Sequence, residues 1–152
     1  MAWRSITELD MLTRISAGEL NGIRTRAEDE GMGDIIAQSK SNVSEKIRGF
    51  VAGNSSNKID ATPGTIPENL IDIAVALLVV DLYSRSGGIV IDINDTRIKA
   101  SDAAERTLRD VASGSFAVSK PAGVPSDEYT QAASAELASR STPLRRDDMR
   151  GL

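Results

Sequence analysis

Neither cysteine nor histidine occurs anywhere in the 152 residues. Without cysteine there is no disulfide framework and no thiolate to hold a metal. Without histidine the chain also lacks the commonest general base and metal ligand near neutral pH. Catalysis would have to run through paired carboxylates, a Ser–Lys arrangement or a hard cation, so the expectation is a protein that is not an enzyme and needs no cofactor or metal. Aromatic residues are scarce: Trp3, Phe50, Tyr83, Phe116 and Tyr129 are all of them. A core built from Ile, Leu, Val and Ala favours close helix–helix packing over a β-sandwich.

Long apolar runs are missing too. The longest, Ile73 to Val80, is far shorter than the roughly 20 residues that span a bilayer, so no membrane partner is expected. The opening MAWRSITELD has no apolar run, and no secretory signal is read there. The Asn-x-Ser/Thr matches at Asn42, Asn54 and Asn94 are therefore read as chance. Lys and Arg number 18 against 22 Asp and Glu, a net charge of −4, and the pI is about 4.9. Nucleic-acid binding relies on a basic face that displaces phosphate counterions, and none stands out, so DNA near this protein would be tolerated, not gripped.

Motifs that carry chemistry are thin. No P-loop, dinucleotide-binding or nucleophile-elbow pattern occurs. The acidic run Glu28-Asp29-Glu30 reads as a solvated loop, with no second carboxylate cluster at ligand spacing. Asp92 and Asp95 lack the glycine and the bidentate glutamate of a calcium loop. Arg145 and Arg146 suit phosphate, but Asp147 and Asp148 follow directly and make the tail nearly neutral.

What is present is helix punctuation. Ser5 and Glu8 form a predicted capping box, with Ile6, Leu9 and Leu12 on one inner face. A second box, Ser16 with Glu19, restarts a short helix carrying Leu20 and Ile23. Residues 24–33 read as a charged loop. From Asp34 to Ala52 the positions Ile36, Val43, Ile47 and Phe50 make one apolar stripe, with Asp34 as cap and Gly53 as stop. Residues 53–67 are rich in Gly, Ser, Asn and Pro, a loop long enough for an interface role. Residues 67–85 are apolar nearly all round, the mark of a buried central helix, with Asp81 and Arg85 paired at its end. Gly87-Gly88 ends that helix and residues 89–94 alternate as a short strand would. The last helix is predicted over Ser101 to Ser113, with Ala104, Leu108 and Val111 inside, Glu105–Arg109 outside and Gly114 as its left-handed stop.

The expected fold class is therefore all-α: a small bundle around helix 67–85, comprising a body over residues 1–118 and an extended arm over 119–152. The arm is polar and Pro-containing, and could not offset its ordering entropy alone. Its candidate partner contacts are Tyr129, Leu137, Leu144, Arg145 and Arg146, with Phe116 just before it. Trp3 has two readings, as a core anchor or as a partner anchor.

Four stretches carry a resemblance: SITELDMLTRISAGELNGI, IIAQSKSNVSEKIRGFVAGN, IPENLIDIAVALLVVDLYSR and DAAERTLRDVASGSFAV. Their order, with the endings Phe50-Val-Ala-Gly53 and Leu82-Tyr83-Ser-Arg85, resembles the head–tail connector (head-completion adaptor) proteins of tailed phages. The resemblance covers roughly residues 3–118 and implies a virion protein of the neck, made in the host cytoplasm. It implies a closed homo-oligomeric ring of about a dozen copies, docked on the portal protein and meeting the next neck or tail component. DNA would pass through its channel without sequence-specific binding. A tail-terminator or stopper ring, and a small acidic helical assembly chaperone or regulator, are the alternatives.

Overall fold

A computed structural model describes residues 2–86 and 95–123. Among the described residues are five α-helices and two short strands, in the order β1 (Trp3–Arg4), α1 (Glu8–Met11), α2 (Ala17–Asp29), α3 (Ile35–Gly53), β2 (Ile66–Pro67), α4 (Ile71–Arg85) and α5 (Asp95–Ser113). The two strands pair antiparallel, Trp3 with Pro67 and Arg4 with Ile66. The fold is an all-α bundle with a two-strand ribbon at one edge. By compactness the chain divides into Met1–Ala122 and Gly123–Leu152.

The body is organised by α4. Ala74, Val75, Leu78 and Leu82 are each at most 1% exposed, because the helix packs on α3, α5 and α1 together. The Asp81–Arg85 pair forms at 2.8 Å. A 3₁₀ turn, Glu68–Leu70, precedes the helix, so the predicted opening at Pro67 is instead a strand residue paired with Trp3.

Helix α3 begins where predicted. The Asp34 carboxylate accepts the Ala37 N–H at 3.0 Å, satisfying one of the donors every helix start leaves unpaired. Ile36, Val43, Ile47 and Val51 are buried along its inner face, while Phe50 is half-buried beside them. In α5, Ala104, Leu108 and Val111 are buried as expected, and Gly114 takes φ +83°. The helix spans Asp95–Ser113, so it includes residues ahead of the predicted Ser101.

Two corrections lie near the N-terminus. The cap of α1 is Thr7 with Asp10, not Ser5 with Glu8. Asp10 is held from both sides: Thr7 N–H donates to it at 2.8 Å and the Arg4 guanidinium grips it at 2.7 and 2.8 Å. Glu8 turns outward to Arg24 at 2.7 Å. This register puts Ile6, Met11 and Ile15 in the core and leaves Leu9 at 77% and Leu12 at 42% exposure. The second correction is that α2 continues through the predicted loop to Asp29. Ala27 is buried, Arg26 pairs with Glu30 at 2.8 Å, and the chain turns only at Gly31, φ +67°.

The predicted Gly87-Gly88 stop and the strand over 89–94 lie outside the described residues. So do Tyr129, Leu137, Leu144, Arg145 and Arg146.

Candidate interaction surfaces

Three side-chain arrangements tie distant parts of the body together, and each shapes a surface. The first holds the segment that follows α5. Phe116 and Val118 pack partly buried against the core, while Ala117 between them is exposed. Asn69 reads the backbone of this strap like a strand partner: its Nδ2 donates to the Ala117 carbonyl at 3.0 Å and its Oδ1 accepts the Ser119 N–H at 3.1 Å. The Ser119 hydroxyl donates to the same oxygen at 2.9 Å. Trp3 Nε1 donates to the Ser119 carbonyl at 2.7 Å.

Trp3 itself is only 7% exposed, with the Arg48 guanidinium 5.5 Å from its ring centre, a cation–π distance. Within the single chain the ring is buried, the placement that the core-anchor reading expects. Phe116, the other candidate within the described residues, seats the strap. Trp3 thus bonds to the same strap that carries Phe116.

The second arrangement orders the long loop. Arg48, on α3, donates to the carbonyls of Asp60 at 2.7 Å, Thr65 at 2.9 Å and Thr62 at 3.1 Å. Thr65 is buried, and its hydroxyl donates to the Thr62 carbonyl at 2.8 Å. A planar guanidinium suits this work because its donors diverge in a fixed fork. The loop therefore presents Lys58 and Ile59, both exposed, on a fixed frame.

The third is a polar node joining α2, α4 and α5. Glu19 accepts from Tyr83 Oη at 2.8 Å and from both Arg97 nitrogens at 3.1 Å. Arg97 also donates to Tyr83 Oη at 2.8 Å and to the Arg14 carbonyl at 3.3 Å, its guanidinium 5.1 Å from the Tyr83 ring. The Ser16 backbone N–H first, then Tyr83, Ser16 Oγ and Arg97, hold the Glu19 carboxyl down to about 2. Burial, and then the hydrogen bond to Glu19, push the Tyr83 phenol up. A carboxylate so bonded stays ionised near neutral pH and is a poor proton carrier. The node is suited to joining elements.

Among the described residues no group of three or more metal-ligating side chains converges, and no helix is long and apolar enough to cross a membrane. Glu28, Asp29 and Glu30 are exposed at the end of α2. Asn69, Arg48 and Ser119 had no signal in the sequence, because each acts on a backbone group far along the chain. No family model matches the chain, and neither the curated proteins nor the solved structures compared with it include a match.

Proposed function

We propose that the chain is a structural subunit of a tailed-phage neck, a head-to-tail connector that forms a ring under the portal and docks the next component. The observation that carries the reading is the placement of the connector-like endings. Phe50-Val-Ala-Gly53 falls at the end of α3, Leu82-Tyr83-Ser-Arg85 at the end of α4, and the Gly114 stop at the end of α5. A rigid bundle is a suitable wedge for a cyclic ring whose interfaces repeat. A net acidic lining would let a duplex slide past instead of binding it. Partner contacts are assigned to the arm, through Tyr129, Leu137, Leu144, Arg145 and Arg146, and to the loop framed by Arg48.

The test is native mass spectrometry of the full chain, with co-sedimentation on portal-containing heads. A closed ring that sediments with heads is expected. A discrete low-order oligomer that ignores heads would replace the reading with that of a helical assembly chaperone or regulator.

A further inference from the structure

We propose that the cleft formed by Trp3 and Asn69 is an exchangeable strap site, and that in the assembled protein it holds the strap of a neighbouring copy. The proposal rests on the ring reading above for its setting and deepens it by naming the contact between copies.

The site reads backbone. Asn69 and Trp3 satisfy one N–H and two carbonyls of an extended segment, the way β-strand addition binds a peptide through its main chain. Specificity comes from the two alternating apolar residues, Phe116 and Val118, that face the core. The groups that read the strap come from the two ends of the N-terminal half, 116 and 50 residues away in sequence. Nothing in those contacts depends on the strap belonging to the same chain. A second copy carries the identical segment, so the cleft fits it with the same bonds.

The strap meets the body covalently at one narrow joint. Gly114 has φ +83°, and the Asn54 side-chain nitrogen lies 3.0 Å from where a Cβ would stand. Just beyond it, the Asp110 carbonyl holds the backbone, accepting from Ser115 at 2.8 Å and Phe116 at 3.1 Å. Opening this joint sacrifices a helix-end cap and keeps the whole cleft. Exchange of an identical element therefore differs from the closed monomer mainly in hinge geometry and local concentration. In a ring, each strap would tie its subunit to the next.

The absence of cysteine makes the test clean. Full-length chains carrying Glu68→Cys or Ala117→Cys, both exposed positions, are refolded together, one isotope-labelled, and treated with a short bismaleimide. A chain carrying both substitutions serves as the reference. Expected is a covalent E68C–A117C heterodimer in the oligomer fraction, at least tenfold enriched over the monomer fraction, while the double variant closes internally in the monomer. An oligomer whose double variant closes only internally, or co-refolded chains that form no oligomer, overturns the proposal. So does a monomer in which the double variant fails to close. A ring that binds heads with every strap internal would sink the exchange and leave the connector reading standing. Exchanged oligomers that ignore heads would do the reverse.

Discussion

Glu19 shows how much one side chain can join. It caps α2 through Ser16 and accepts hydrogen bonds from Tyr83 of α4 and Arg97 of α5. Its folded value, about 2, lies below the ordinary 4.5. Its stabilisation is therefore fully present above about pH 4.5 and is lost as the pH falls through about 2. Glu19→Gln is expected to destabilise the fold by about 1–3 kcal/mol at pH 7, the scale of hydrogen bonds to a charged group. Urea unfolding from pH 7 downward should show the gap to the native chain closing below pH 4.5. A gap that is equally wide at pH 2.5 would contradict the assignment. Arg48 makes a second case at this scale. Arg48→Met removes three carbonyl contacts from the loop, and trypsin should then cut after Lys58 about tenfold faster, if opening eases by about 1.4 kcal/mol. An unchanged cleavage rate would mean that the loop is ordered by something else.

The element most changed by its surroundings is α1. With Thr7 as cap, its buried residue is Met11, and Leu9 and Leu12 face outward. Met11→Ala should cost about 2–5 kcal/mol, as for other large-to-small changes in a packed core. Leu9→Ala should stay within about 0.5 kcal/mol, as exposed substitutions do. Thr7→Ala should cost about 1 kcal/mol through loss of the cap. Denaturant midpoints of the three variants check the register: a costly Leu9→Ala beside a mild Met11→Ala would restore the face predicted from spacing. That spacing misled because Ser5–Glu8 and Thr7–Asp10 both satisfy the capping pattern. Arg4, brought alongside Asp10 by the β1–β2 ribbon, decides between them. Helices α3 and α5 needed no such arbitration: in each, one apolar stripe admits one inner face.

At the scale of the whole molecule, the body has its own core, against which Phe116 and Val118 of a strap pack. Removing residues 124–152 leaves in place every buried residue of the core from Trp3 to Val111, so the truncated chain should melt within about 2 °C of the full chain. On the proposed function it should also fail to attach to portal-containing heads. Thermal unfolding and co-sedimentation of the same preparation check both halves. Normal head attachment by the truncated chain would remove the arm from the interface.

The sequence by itself determined the all-α class, the buried helix ending in Asp81–Arg85, the α3 stripe, the Ser16–Glu19 box and the Gly114 stop. Each is a local matter of apolar spacing, a cap within three residues, or a backbone angle only glycine takes easily. The tertiary structure alone decided that Trp3 bonds to Ser119, that Asn69 holds the strap, that Arg48 frames the loop, and that Arg97 of α5 meets Glu19 and Tyr83. In those cases a side chain satisfies a backbone group or a charge tens of residues away. No periodicity records such a pairing, because it exists only once the helices have packed.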